Sequence, residues 1–249
     1  MALMEEWTKR GQWLFRYRGT APLLLLIPGL GIYLYNQVHP ASCFPHVGLA
    51  EHAYELICLA VSLFGLLIRI YTVGHSAKNT SGRNTRQQRA DSLNTTGIYS
   101  MVRHPLYLGN FFMWLGPALL TGNPWFILVF CLIYWIYYER IMFAEEQFLR
   151  GKFGETYLKW AEEVPAFLPG FRRYIPPDAP MNWKKVLKKE KNGLAATFLV
   201  FFIFDLSGAL LSEQGEYNRW LAAGAVVTSL LYVVLTFIKR RTDLLKEDR

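Results

Sequence analysis

The sequence is short of charge: Asp, Glu, Lys and Arg make up 18% of its 249 residues, where soluble domains carry about a quarter. That deficit leaves apolar runs too long for a water-facing fold to cover, which excludes a conventional soluble domain. Cysteine is equally sparse. Cys43, Cys58 and Cys131 show neither paired spacing nor a CxxC pattern, so no disulfide framework or dithiol redox pair is expected. Cys58 and Cys131 fall inside apolar segments and read as small core or lipid-facing residues. There is no G-x-G-x-x-G after a strand, no Walker loop and no G-x-S-x-G elbow, which removes the usual soluble nucleotide-binding and hydrolase signatures. HExxH is missing too. His39, Cys43, His46 and His52 sit at loop spacing, and His104 with Glu145 and Glu146 lacks a close histidine partner; no metal site is predicted.

Six apolar runs are present instead, near 17–36, 53–73, 105–121, 124–146, 193–212 and 219–238. Crossing the hydrocarbon layer takes about 20 helical residues, and only 105–121 is clearly short. Aromatic residues reach 16% and gather at the ends of the runs, where amphipathic rings settle at headgroup level. Run 21–35 follows a polar stretch and is long for a signal-peptide core, so a cleaved leader is not expected. The fold class is therefore all-α: a single polytopic membrane domain over 1–249 with about six transmembrane helices. Only Gly122 and Asn123 separate the third and fourth runs, giving a short helical hairpin over 105–146; a re-entrant hairpin inserted part way is the alternative.

The formal net charge of +8 would suit a nucleic acid if it formed one field, but it is divided among alternate connections. Lys9, Arg10, Arg16 and Arg18 lie in the leading segment; Lys78, Arg83, Arg86, Arg89 and Arg103 follow the second run; 139–192 is dense in lysine; and Lys239, Arg240 and Arg241 close the chain. The 36–51 connection and the hairpin turn carry none, and 213–218 holds Glu213 and Glu216. This alternation predicts both termini on the cytoplasmic side, of the inner membrane in a bacterium. The partners of the basic faces are anionic headgroups, with no nucleic acid. Asn79-Thr80-Ser81 and Asn94-Thr95-Thr96 match the glycosylation pattern, yet lie on a predicted cytoplasmic loop and should be unmodified. Segment 170–192, with Pro176, Pro177 and Pro180, is too polar and interrupted to span; 182–191 reads equally as a surface helix or a basic linker.

Polar residues concentrate where they cost most. Residues 97–110, GIYSMVRHPLYLGN, enter the third run, and 137–154, YYERIMFAEEQFLRGKFG, leave the fourth. A hairpin brings both to one membrane face. On the exiting helix Glu139 and Glu146 share a face, and Glu145 is turned about 100° from Glu146. Carboxylates near hydrocarbon need partners or water, and Arg103, His104 and Arg140 are available. An ion-paired helix end and a polar pocket opening onto the bilayer both fit.

The stretch TTGIYSMVRHPLYLGN followed by EEQFLRGKFGETYLKWAEEVPAFLP resembles the isoprenylcysteine carboxyl methyltransferase and phospholipid methyltransferase superfamily. The likeness covers 95–169, the methyltransferase core, through an RHP-x-Y-x-G block, then EE-x-x-L, FG-x-x-Y and VP-x-F-x-P in order. The resemblance implies S-adenosylmethionine held at the cytoplasmic helix ends and a lipid-like acceptor entering from the bilayer. It implies cofactor contacts from Tyr99, His104, Pro105, Tyr107, Gly109, Glu145, Glu146, Tyr157 and Pro165, with Gly109 admitting the cofactor closely. Trp160 replaces a tyrosine of the pattern and is given no polar role. The helices of 193–238 are additions to the core that cover a lipid entrance, form a dimer surface or complete packing.

The expected reaction is methyl transfer to a membrane lipid or a prenylated or acylated amphiphile. An anionic carboxylate or phosphate needs no general base, and Arg103 or Arg140 would orient it. An amine lipid would need Glu139 or Glu146 as base. A small membrane transporter or lipid-binding protein using the charged hairpin as a gate is the non-enzymatic alternative.

Overall fold

The computed structural model describes residues 2–39, 51–77, 80, 88, 90–211 and 216–245. Cys43, His46, Asn79, Ser81, Lys78, Arg83, Arg86, Arg89 and Glu213 lie outside them, as does the His52 side chain. Eight α-helices form among the described residues: α1 (Leu3–Arg16), α2 (Leu26–Val38), α3 (Glu51–His75), α4 (Pro105–Leu120), α5 (Pro124–Phe153), α6 (Glu155–Glu163), α7 (Trp183–Leu211) and α8 (Arg219–Arg241). A 3-10 turn at Ala21–Leu25 leads into α2. Five segments are long and apolar enough to cross a membrane: Ala21–Val38, Ala53–His75, Pro124–Phe153, Trp183–Leu211 and Arg219–Arg241. The chain is an all-α polytopic membrane protein. The run at 105–121 yields a helix of 16 residues.

Small residues set the α3–α4 packing. With little hydrophobic drive between helices in lipid, close backbone approach supplies the attraction. Gly65 faces the Gly109 carbonyl, and Gly116 faces Ser62 and the Cys58 carbonyl. A proline within α4 makes the same interface polar. Pro117 has no N–H for the Met113 carbonyl one turn earlier, and the Ser62 hydroxyl donates to that carbonyl at 2.9 Å. The far end of α4 is capped from two other helices: Tyr54 donates to the Leu119 carbonyl at 2.6 Å, and Asn36 to that of Thr121 at 2.8 Å.

The α4–α5 turn follows from its residues. Gly122 takes φ 62°, a conformation that favours glycine. The Asn123 side chain accepts from the Phe126 amide, and Pro124 occupies the first turn of α5, where its missing N–H costs nothing. Helix α1, absent from the sequence expectation, packs on α5 through residues spaced by four. Trp7 meets Phe143 edge-on at 5.7 Å, Gly11 sits against Arg140 and Ala144, and Phe15 is buried.

The 182–191 segment is neither a surface helix nor a linker. It forms the first turns of α7, continuous to Leu211. Asn182 starts the helix by accepting from the Lys185 amide at 2.9 Å. The Lys185 ammonium then turns inward and donates to the Ser76 carbonyl at 2.6 Å, the Ser76 hydroxyl and the Ala77 carbonyl. A cation there satisfies carbonyls left over at the end of α3 and complements its dipole. Of the charges that made this segment look water-facing, Lys185, Glu190 and Lys191 are buried, while Lys184 stays exposed.

Candidate functional site

The site begins at a turn. Gly97, at φ 61°, donates to the Ile175 carbonyl at 2.8 Å, and the chain from Met101 to His104 then runs beside 165–170. Arg103 donates its amide to the Pro165 carbonyl at 2.9 Å, His104 to that of Ala166 at 3.2 Å, and Gly170 to that of Met101 at 2.8 Å. The closing VP-x-F-x-P stretch is thus a strap on the arginine–histidine stretch. Phe167 anchors the strap among membrane helices, edge-on to Phe111 and Trp135. Pro105 starts α4 directly after His104.

The distal ends of α4 and α5 meet here. His104 Nε2 lies 2.9 Å from Glu146 Oε1, and Nδ1 lies 3.6 Å from Glu145 Oε2. Arg103 Nε is 3.3 Å from the same Glu146 oxygen, and its Nη1 donates to the Ala161 carbonyl at 3.2 Å. Burial of His104 opposes its protonation, but the two carboxylates outweigh it and raise its pKa above the ordinary value. Tyr107 stacks beside the imidazole with centroids 5.7 Å apart. Burial, then the Glu145 charge, pushes the Tyr99 hydroxyl up; burial and Glu146 do the same to Tyr157. Trp160 does have a polar role: its indole N–H donates to the Tyr99 carbonyl at 3.2 Å. The hydroxyl of the family pattern is lost, but a donor remains.

These groups open into a cavity of about 580 Å³, within the usual range for a small-molecule site. Tyr99, Arg103, His104, Glu145 and Trp160 line one end; Leu23, Met113, Trp114, Pro117, Ala196 and Val200 line another part of it. Arg69 of α3 and Glu190 of α7 also line it. Arg69 Nε and Nη2 each donate to one Glu190 oxygen at 2.8 Å, and Nη1 donates to Asn110 Oδ1 at 2.6 Å. The Glu190 side chain is 4% exposed and that of Arg69 17%, so the pair is buried.

Tyr99, Arg103, His104, Pro105, Tyr107 and Glu145 therefore line one cavity, with Glu146, Tyr157 and Pro165 behind them. Other expected site residues lie elsewhere. Gly109 faces α3, where a Cβ would stand 2.6 Å from Arg69 Cγ and 2.8 Å from the Gly65 carbonyl; its missing side chain serves helix packing. Arg140 lies over the Trp7 ring at 3.4 Å. Neither Arg140 nor the partly buried Glu139 lines the cavity, because the face of α5 that carries Arg140 is covered by α1. Arg69, within the second apolar run, points inward. Its signal was available in part, since an arginine within an apolar run needs a partner, but the partner is 121 residues away.

Fold and site together define a polytopic membrane protein with one cavity lined by charged groups from the 99–104 stretch and α5 and by apolar residues of the spans. A family model described as phospholipid methyltransferase matches residues 55–156. The protein-S-isoprenylcysteine O-methyltransferase of Schizosaccharomyces pombe is 32% identical over 118 residues, 47% of this chain and 50% of that protein. That of Xenopus laevis is 34% identical over 121 residues, 46% of this chain and 40% of the relative. A probable protein-S-isoprenylcysteine O-methyltransferase of Oryza sativa subsp. indica is 32% identical over 159 residues, 60% of this chain and 81% of the relative. The chain belongs to the superfamily of phospholipid and isoprenylcysteine methyltransferases. It spans about half the length of the yeast and frog relatives. No solved structure matches it.

Proposed function

We propose that the protein transfers a methyl group from S-adenosylmethionine to an anionic oxygen, carboxylate or phosphate, of an amphiphile whose hydrocarbon chain lies in the membrane. The observation that carries this reading is the single cavity with acidic, basic and aromatic groups together and an apolar lining elsewhere, in a chain of this superfamily. Family membership implies the cofactor, and the residues fit it. Glu145 is a carboxylate suited to ribose hydroxyls or a cationic amino group; Tyr99, Trp160 and Leu149 offer flat or apolar walls. Arg103, ion-paired to Glu146 at 3.3 Å, also lines the cavity and is a cation suited to a carboxylate. When bound, S-adenosylmethionine supplies an electrophilic methyl on a sulfonium centre.

The protein's own task is alignment and exclusion of water. His104 is held between Glu145 and Glu146 and fixes the shape of the polar end. Arg69 presents guanidinium N–H groups to an acceptor oxygen. That oxygen is already ionised at neutral pH, so no side chain must remove a proton. The apolar lining at Leu23, Met113, Trp114 and Val200 would take the hydrocarbon without telling a prenyl chain from an acyl chain. The names of the relatives favour an isoprenylcysteine carboxylate among possible acceptors.

The charge alternation supports both termini on the cytoplasmic face, with α4 as a sixth, shorter crossing and 1–249 acting as one domain around the 95–169 core. The site would then open to the cytosol, where the cofactor is found. Purified protein in lipid nanodiscs, given methyl-labelled cofactor and a total lipid extract, should label a species that loses the label on mild alkaline treatment, as an ester does. Label retained on an amine would replace the acceptor, and transport of lipid with no labelled product would replace the reaction.

A further inference from the structure

Arg69 is already occupied by a carboxylate of the protein. Glu190 takes Nε and Nη2 side-on, with both contacts at 2.8 Å, and Asn110 takes Nη1. Of the five N–H groups a guanidinium carries, two on the Nη atoms remain, and Arg69 and Glu190 both line the cavity. Glu190 belongs to α7, outside the family-matched segment 55–156. Gly193, one turn on, lies beside the pair: a Cβ there would stand 3.6 Å from Glu190 Oε2 and 3.2 Å from the Met113 methyl. A side chain there would press only on the Met113 methyl and would meet the carboxylate at ordinary contact distance.

We propose that Glu190 is a positioning residue that tempers Arg69: it fixes the guanidinium plane and offsets its charge, so that an anionic acceptor is oriented without being clamped. The inference rests on the anionic-acceptor reading above. In the transfer an acceptor oxygen lone pair forms the new O–CH₃ bond while the C–S bonding pair returns to sulfur. The acceptor begins with a full negative charge and ends neutral, and no proton moves. An uncompensated arginine would hold the starting anion more strongly than the partly neutralised oxygen of the transition state. That lowers KM and kcat together and gains nothing for catalysis. A guanidinium paired to a buried carboxylate keeps its directional N–H groups with far less net charge. It supplies alignment, which is useful throughout the transfer.

The test compares binding and turnover in nanodiscs, using S-farnesylcysteine with a free carboxylate and its neutral amide as probes. Glu190→Gln should bind the carboxylate about tenfold more tightly, the scale of one modest charge-assisted contact, and leave the amide unchanged. Its kcat for the carboxylate should fall while its KM falls too. A purely structural Glu190 predicts weaker binding of both probes and a raised KM, and that result overturns the proposal. Asn110→Asp is the opposing variant: a second carboxylate on Arg69 should weaken carboxylate binding selectively. If Glu190→Gln does not fold, Asn110→Asp decides, and equal effects on the two probes refute the inference. Failure to bind either probe in any form of the protein also refutes it. Wild-type protein that binds the carboxylate selectively but labels only amines removes the proposed acceptor, while the binding comparison still decides the role of Glu190.

Discussion

Replacing Gly65 with alanine should push α3 and α4 apart and uncouple Arg69 from Asn110. A Cβ at position 65 would lie 2.6 Å from the Met113 amide nitrogen, with the Gly109 carbonyl closer still. Ordinary contact begins at 3.4 Å, and both obstacles are backbone, so no side chain can swing away. The helices must separate by about 0.8 Å or more, at an overpacking cost of about 1–3 kcal/mol. Arg69 lies one turn beyond Gly65 on α3, and Asn110 lies beside Gly109 on α4. The same displacement stretches their 2.6 Å hydrogen bond beyond the usual limit of about 3.2 Å. Thermal unfolding in detergent should therefore drop by roughly 2–12 °C, and methyl transfer should fall further than the folded fraction does. Gly31→Ala is the control, because a Cβ there meets nothing within 4 Å; it should be neutral or stabilising by up to about 1 kcal/mol. An unchanged melting temperature for Gly65→Ala would show that the helices are not in backbone contact. A lower melting temperature with unimpaired turnover would break the proposed link between helix spacing and the site.

Ser62→Ala should cost about 1–3 kcal/mol by stranding the Met113 carbonyl, and adding Pro117→Ala, which restores an N–H one turn on, should recover most of it; additive losses in that double-mutant cycle would remove the compensation. His104 holds its proton more tightly in the folded protein than in the unfolded chain. Its contribution is therefore complete below the ordinary histidine value and lost as pH rises through the raised folded pKa. The melting-temperature gap between wild type and His104→Gln should be wider at pH 6 than at pH 9, and a gap that grows with pH contradicts the ion-pair geometry. Arg140→Gln should lower stability by about 0.5–2 kcal/mol, the range of a cation–π contact, with methyl transfer per folded molecule unchanged; lost turnover would return Arg140 to the site. Trp160→Phe should raise the cofactor KM through the freed Tyr99 carbonyl while shifting the melting temperature little, and unchanged KM would take Trp160 out of the wall.

Punctuation made the α4–α5 turn legible. Gly122, Asn123 and Pro124 each have one strong local reason to sit where they do, and that reason does not depend on the rest of the fold. That turn returns α5 toward the start of α4, which makes the meeting of Arg103 and His104 with Glu145 and Glu146 possible. The strap needed more than local reasoning. Its contacts to Arg103 and His104 are backbone hydrogen bonds, which any residue can make, so only its place in a family pattern pointed to it. Helix α1 was missed although Trp7, Gly11 and Phe15 recur every four residues, because a mixed polar segment ahead of a span reads as a flank.

The hardest residues to place were charged ones whose partners are far along the chain. Lys185 bonds carbonyls 108 and 109 residues away, and Arg69 pairs with Glu190 across 121 residues. Composition assigns such side chains to water by default, because a buried charge without compensation is prohibitive. Compensation, however, is a property of the packed bundle. Both placements share that cause and point to one consequence. The segment of α7 that read equally as a surface helix or a basic linker is the one that caps α3 and delivers a carboxylate to the cavity. Residues 55–156 carry the family resemblance, yet the cavity also draws Leu23 from the N-terminal side and Glu190, Ala196 and Val200 from α7. Determinants that distinguish this chain's acceptor from those of its relatives should therefore be sought on α7 and the Ala21–Leu25 turn, because those walls lie outside the family-matched segment.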